Sequence, residues 1–338
     1  MATSSLDDDF DAPLDLPTRP RRNRRSAAIR GLVRETRLSP ESFILPLFVI
    51  EGENQKVPIG AMPGCFRFSI DELVKIVREA RSLGVRSVAL FPALSDAQKD
   101  PRASESTNPD GLCQRAIREL KSALPDVTVI TDVAMDPYSS DGHDGLVENG
   151  QILNDETLEI LACMAVSQAE AGADIVAPSD MMDGRIGYIR NALDLDGFTD
   201  VGILAYSAKY ASAFYGPFRE ALDSAPKAGD KKTYQMDPAN SSEALREVFL
   251  DIEEGADMVM VKPGLPYLDI ICRVKDAVDV PVAAYHVSGE YAMIKAAAEK
   301  GWLDGEAAMV EAHIALKRAG SDIILTYNAI EMAKFLQG

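Results

Sequence analysis

From residue 43 onward, short apolar runs rich in β-branched and aromatic residues alternate with longer stretches whose apolar positions recur every third and fourth residue. The first pattern is that of strands buried on both faces, the second that of helices burying one stripe. Eight runs predict strands at 43–50, 87–92, 127–134, 174–179, 201–207, 258–263, 280–287 and 322–327, with helices such as 71–83, 155–171 and 241–254 between them. Three strands open alike, at Ala171-Gly172-Ala173-Asp174, Gly255-Ala256-Asp257 and Ala319-Gly320-Ser321-Asp322: a helix ends, a glycine supplies the left-handed cap, and the strand begins. Repeated βα units of this kind predict an α/β fold, a (β/α)8 TIM barrel, with a doubly wound sheet as the alternative.

Residues 1–25 carry no apolar period. They hold Asp7, Asp8, Asp9, Asp11 and Asp15, then Pro13, Pro17 and Pro20, then Arg19, Arg21, Arg22, Arg24 and Arg25. This predicts an extended N-terminal arm mediating oligomer contacts, followed by a catalytic barrel over 26–338. The whole chain has 35 Lys and Arg against 53 Asp and Glu, a net charge of −18. Such a field repels nucleic acid and anionic membranes, so neither is expected as a partner, and the basic arm should embrace an acidic neighbouring subunit. No apolar run approaches the roughly 20 residues that cross a bilayer. The four cysteines, Cys65, Cys113, Cys163 and Cys272, are scattered without a CxxC pair. With no apolar leader and an acid-rich start, they predict reduced thiols and a cytoplasmic location.

In such barrels reacting groups project from the C-terminal ends of strands. Lys262 closes the apolar run Met258-Val259-Met260-Val261. Burial there favours the neutral amine, which can attack a carbonyl to form a Schiff base. Lys209 follows the preceding strand, so each ammonium should make the other harder to charge. One strand-end lysine could equally hold a phosphate or pair with a carboxylate, but two together favour amine catalysis. The loop after the third strand carries Asp132, Asp136, Asp141, His143 and Asp144. Either it holds a hard cation such as magnesium, and not zinc, or its carboxylates meet substrate amines. Phosphate-cradling glycine motifs are absent, which disfavours nucleotides and predicts no organic cofactor. No G-x-S-x-G elbow occurs, and His143, His286 and His313 lack serine partners, with His286 read as structural. Around Tyr215 to Gln235 the residues Arg219, Lys227, Lys231 and Lys232, spaced by Gly216 and Gly229, suggest a mobile lid gathering carboxylates or a solvated loop.

Four segments carry a resemblance: Met260-Val261-Lys262-Pro263, the stretch Tyr206-Ser207-Ala208-Lys209-Tyr210-Ala211-Ser212 with Phe214-Tyr215-Gly216-Pro217-Phe218-Arg219, Tyr234-Gln235-Met236, and Tyr285-His286-Val287-Ser288-Gly289-Glu290-Tyr291. Over nearly its whole length the chain resembles the porphobilinogen synthase, or delta-aminolevulinic acid dehydratase, family. The resemblance implies a barrel with an arm wrapping a neighbour, a homo-octamer, and a hydro-lyase of tetrapyrrole biosynthesis that condenses two 5-aminolevulinate molecules to porphobilinogen with loss of two waters. It implies Lys262 as holder of the substrate that becomes the propionate side, with Ser288 and Tyr327 on its carboxylate. Lys209 would hold the second substrate, with Arg219, Lys231 and Gln235 on its carboxylate; other members carry arginine where Lys231 stands. Zinc-dependent members have cysteines at the positions of Ala134, Asp136 and Asp144. The resemblance is therefore to an aspartate-rich, zinc-independent branch, in which Asp136 and Asp144 orient the second substrate's amine or bind a hard cation. Asp132 and Ser179 would relay protons. A magnesium site at Glu247, with Asp180 and Arg185 behind it, would support assembly or activation. A class I aldolase and a noncatalytic scaffold recruited through the arm stand as the alternatives.

Overall fold

The structure, a computed structural model, describes residues 16–222 and 224–337. The acidic start of the expected arm, Asp7 to Asp15, lies outside them. Residues up to Arg37 form a unit apart from that of Leu38–Gly338. In the first unit the expected extended course is interrupted, because Pro20–Arg24 winds into a 3-10 helix with proline at its first turn, where the missing N–H costs nothing. Helix α1 (Ala27–Leu32) follows, capped by Ser26, whose Oγ accepts from the Ile29 N–H at 3.2 Å. Neither helix buries a residue.

The second unit begins with β1 (Phe43–Val49), the hairpin β2 (Lys56–Pro58) and β3 (Phe66–Phe68), α2 (Ile70–Ser82), β4 (Ser87–Pro92), α3 (Leu112–Ala123) and β5 (Thr128–Val133). A second hairpin, β6 (Leu146–Glu148) and β7 (Gln151–Leu153), leads to α4 (Asn154–Glu170), β8 (Ile175–Pro178), α5 (Arg185–Leu195), β9 (Gly202–Lys209) and α6 (Gly216–Leu222). Then come α7 (Ser242–Glu253), β10 (Met258–Lys262), α8 (Leu268–Ala277), β11 (Val282–His286), α9 (Ser288–Glu299), α10 (Gly305–Arg318), β12 (Ile323–Thr326) and α11 (Ala329–Gln337). Strands β1, β4, β5 and β8 to β12 pair in that order, all parallel, and β12 returns to β1 through Phe43↔Ile324 and Ile44↔Leu325. The sheet is closed, which settles the barrel against the open doubly wound sheet.

The three helix–glycine–strand repeats have a common purpose at the bottom of the barrel. Gly172, Gly255 and Gly320 take φ of 104°, 107° and 116°, the left-handed region that ends their helices. The aspartate that follows each reaches the neighbouring strand: Asp174 accepts from the Val129 N–H at 2.8 Å, Asp257 from Ile203 at 2.7 Å and Asp322 from Val282 at 2.9 Å. Each therefore satisfies a backbone donor where the strand starts.

Alternation along the strands gives two apolar layers. On β1, Phe43, Leu45, Leu47 and Val49 pack outward against the helices, while Ile44 and Phe48 fill the barrel. On β9, Leu204 and Tyr206 face in and Ala205 faces out, but Ala208 also faces out. The register against β10 accounts for this: Val259 pairs with Ala205 and Val261 with Ala208, so β9 carries one extra residue. This β-bulge reverses the parity of the strand end. Without it Lys209 would share the outward phase of Ala205; with it Lys209 pairs with Lys262 at the mouth of the barrel.

Candidate active site

Both lysines end their strands, and β9 extends through Lys209, two residues beyond the end expected from the sequence. Lys262 is 7% exposed. Its Nζ lies 5.0 Å from the ring centre of Tyr206, 5.2 Å from those of Tyr215 and Phe218, and 4.7 Å from that of Tyr285. Among the described residues no carboxylate pairs with it. Ring faces attract a cation, yet burial and then the Lys209 charge push the Lys262 amine down to about 7, with Asp132, Asp136 and Asp144 pulling weakly the other way. At neutral pH a large share of this amine is unprotonated and nucleophilic.

Lys209 sits in the opposite surroundings. Its Nζ donates to the Ser179 carbonyl and to Asp144 Oδ2 at 3.3 Å. Lys231 Nζ donates to Asp144 Oδ1 at 2.6 Å and to Asp136 Oδ2 at 3.3 Å, and Gln235 Nε2 reaches Asp144 Oδ2 at 3.4 Å. All of these side chains are buried. Burial would raise the Asp144 carboxyl, but Lys209 and Lys231 outweigh it and hold the group well below the usual carboxylate range. Asp136 goes the other way, since burial exceeds what Lys231 returns. Burial would also lower Lys231, and Asp136 and Asp144 reverse that. Asp132 is pushed up to about 7 by burial and by Asp136, against its hydrogen bond with Ser179 and the two lysines. It can thus hold or release a proton near neutrality beside both amines.

In the structure Asp136 and Asp144 of the aspartate loop meet the amines of Lys209 and Lys231. No group of three His, Cys, Asp or Glu side chains among the described residues is placed to hold a metal. His143 lies apart from such chemistry, with Nδ1 3.0 Å from the Tyr234 hydroxyl and Nε2 2.9 Å from the Ala228 carbonyl. It pins the basic segment, and Tyr234 adds a contact to the Asp144 N–H at 3.3 Å.

Ser288 starts α9, where its Oγ accepts from the Phe218 N–H at 3.0 Å and so shares Phe218 with Lys262. The Tyr327 hydroxyl is 2.9 Å from that of Tyr285, and its ring stacks on Phe48. Arg219 is half-buried on α6, and its charge opposes the rise that burial gives the Tyr215 and Tyr234 hydroxyls. The residues expected around the two lysines are thus gathered at one end of the barrel. Left out of the sequence-based site was the ring box of Tyr206, Tyr215, Phe218 and Tyr285, quoted in the segments that carry the resemblance but given no role there.

A cavity of 970 Å³ lies beside the lysines, with Gln235 lining its wall, and not around them. Its lining includes Glu247, Glu243 and Asp183. Burial raises the Glu247 carboxyl, helped by Asp251, Asp183 and Glu243 and opposed by Arg185. Behind it Arg185 Nη1 donates to Asp251 Oδ1 at 2.6 Å, and Asp180 Oδ1 lies 4.0 Å from Arg185 Nε. Asp251 was also missed, although it continues the buried stripe of Ala244 and Val248 on α7.

A buried, unneutralised amine beside a second strand-end lysine at the mouth of a parallel barrel defines an enzyme of the Schiff-base-forming class. The comparisons narrow the class. The chain matches the family described as Delta-aminolevulinic acid dehydratase over residues 17–335. It is 58% identical over 336 residues to the chloroplastic delta-aminolevulinic acid dehydratase of Chlamydomonas reinhardtii, covering 96% of this chain and 86% of the relative. To the delta-aminolevulinic acid dehydratase of Bradyrhizobium diazoefficiens it is 55% identical over 325 residues, covering 96% and 92%. The crystal structure of delta-aminolevulinic acid dehydratase (porphobilinogen synthase) from Toxoplasma gondii ME49, in complex with the reaction product porphobilinogen, superposes with a TM-score of 0.93 at 55% identity over 95% of this chain and 92% of that one. The chain belongs to the delta-aminolevulinic acid dehydratase family and is a lyase.

The cytoplasmic location expected from the sequence is overturned. Algal and plant relatives, among them those of Chlamydomonas reinhardtii, Physcomitrium patens and Glycine max, are named chloroplastic, which points to a plastid. That expectation took a compartment from what the first residues lack, and such a lack carries no address.

Proposed function

We propose that the chain condenses two molecules of 5-aminolevulinate to porphobilinogen, with Lys262 and Lys209 each capturing one ketone as an imine. The observation that carries this is the register pair itself: two buried lysines on adjacent strands, one boxed by rings and one set against carboxylates. Unprotonated Lys262 attacks the ketone carbon, and the carbonyl oxygen gains two protons and leaves as water. Asp132, poised near neutrality, is the group beside both amines that can move those protons. Ser288 and Tyr327 orient the carboxylate of the Lys262 substrate; Arg219, Lys231 and Gln235 orient that of the other.

Borohydride treatment in the presence of 5-aminolevulinate tests the reading: peptide mapping should find reduced adducts on Lys262 and Lys209, alongside colorimetric detection of porphobilinogen. Trapping by a sugar ketone and not by 5-aminolevulinate would reveal an aldolase, and trapping by neither a scaffold.

The zinc-independent reading rests on Ala134, Asp136 and Asp144, since hard oxygens engaged by Lys209 and Lys231 are poor zinc ligands. Magnesium would be taken at the Glu247 wall of the cavity, where burial raises a carboxylate crowded by Asp183 and Glu243, with Arg185 opposing. With Glu247 and Glu243 as the carboxylates, the ion would keep most of its water and supply charge for assembly or activation. The 1–25 arm, its basic cluster set against the acidic body of a neighbour, supports a homo-octamer built on the 26–338 barrel.

A further inference from the structure

The loop that follows Lys262 is tied to α9 by one side chain outside the site described so far. Glu290 is 0% exposed. Its Oε1 accepts from the Leu265 N–H at 2.5 Å, and its Oε2 from Gly264 at 3.2 Å and from Val287 at 2.7 Å. The Val287 bond is half of an ordinary capping box, in which a glutamate at the third helical position reaches back to the cap. The other two bonds cross to β10 and take the first two N–H groups after Lys262, since Pro263 has none. Among the described residues no cation pairs with this carboxylate. Its burial raises it to about 7 against the pull of the three N–H groups.

Close packing on both sides leaves the junction little freedom. A Cβ on Gly264 would meet Leu316 Cδ2 at 2.7 Å, and one on Gly289 would meet the Phe214 carbonyl oxygen at 2.5 Å. On the strand side, the Lys262 carbonyl accepts from the Tyr210 N–H at 2.9 Å and from the Tyr215 hydroxyl at 3.2 Å.

We infer that Glu290 is the positioning residue for Lys262: its carboxylate clamps the end of β10 to the cap of α9 and so fixes the Lys262 amine against Ser288 and the ring box. This rests on the imine role proposed for Lys262. Glutamine in its place would keep one acceptor and point an NH2 group at a backbone donor, and aspartate would be too short to span both loops. Either change should let Lys262 drift, and a misplacement near 1 Å can cost about 100-fold in rate.

The test is borohydride trapping with 5-aminolevulinate on the full chain, reading adduct formation at Lys262 and Lys209 separately. In Glu290→Gln and in E290D the rate at Lys262 should fall at least about 10-fold, with Lys209 trapping within about twofold of wild type. Loss at both lysines together, or unchanged trapping at Lys262, would overturn the inference. So would failure of both variants to reach the native circular dichroism spectrum, which would make the residue merely structural. Absence of a Lys262 adduct in the wild type would instead reject the imine assignment itself.

Discussion

Replacing Phe218 with glutamate puts the electrostatics of Lys262 to a quantitative test. The Phe218 ring centre is 5.2 Å from Lys262 Nζ on a half-buried helix, so a carboxylate there faces the amine from the edge of solvent. Unit charges about 5 Å apart at an effective dielectric near 20 attract by about 3 kcal/mol. That corresponds to about 2 pKa units in favour of the ammonium. The amine now sits at about 7, so it should rise to about 9. Because the nucleophile is the unprotonated form, activity climbs with pH through this value. The charged share of the amine therefore removes rate on the acid side only. At pH 7 the neutral fraction should fall from about one half to about one in a hundred, a loss of roughly 50-fold, whereas at pH 10 the variant should approach the wild type.

The assay is kcat/KM for 5-aminolevulinate from pH 6 to 10, with Phe218→Gln as the uncharged control of similar polarity. The control should keep its acid limb near that of the wild type. A glutamate variant depressed equally at all pH values, with the limb unmoved, would refute the claim that Lys262 protonation governs the reaction.

Asp132→Asn removes a charge that favours the ammonium, so the same limb should move below its wild-type position; a limb that disappears would assign it to Asp132 instead. Asp144→Asn strips the counter-charge from Lys209 and Lys231, and should lower stability by about 3–5 kcal/mol, as breaking a buried pair does. A urea midpoint within error of wild type would contradict it. Zinc-selective chelators should leave turnover intact, and Glu247→Ala should abolish any magnesium stimulation while basal turnover persists, so stimulation surviving that change would misplace the site. Deleting residues 1–25 should shrink the oligomer and lower specific activity; sedimentation of an intact, fully active octamer would reduce the arm to a solvated tail.

The barrel was legible because strands covered on both faces leave unbroken apolar runs, and each expected strand lies within two residues of an observed one. The hairpins at Lys56–Phe68 and Leu146–Leu153 were not, since strands of three residues are shorter than any periodicity can register. Lys262 could be placed from its run alone. Lys209 could be placed at the mouth but not aimed, because its direction depends on a bulge defined by pairing with β10, a property of two strands and not of one. The contacts among Asp144, Lys231 and Gln235 were visible only as family positions, since their partners lie about 90 residues apart in the chain.

Two chemically identical side chains at register positions have been given unlike surroundings, and the proposed reaction requires that inequality. Condensing two copies of one substrate needs a site that treats them differently, or both amines would compete for the same first capture. With no carboxylate paired to it among the described residues, Lys262 is kept ready as a free amine at neutral pH by burial and then by the Lys209 charge. The ion pair with Asp144 instead holds Lys209 in a polar cluster with Lys231 and Gln235, groups suited to a second carboxylate. The bulge on β9 brings these environments within one register step, and Asp132, between the charges of both lysines and of Asp136, is left near half-protonated where each dehydration needs a proton. Straightening β9 would keep every catalytic residue in the chain yet turn Lys209 out of the barrel, so the asymmetry that the chemistry uses resides in the backbone as much as in the side chains.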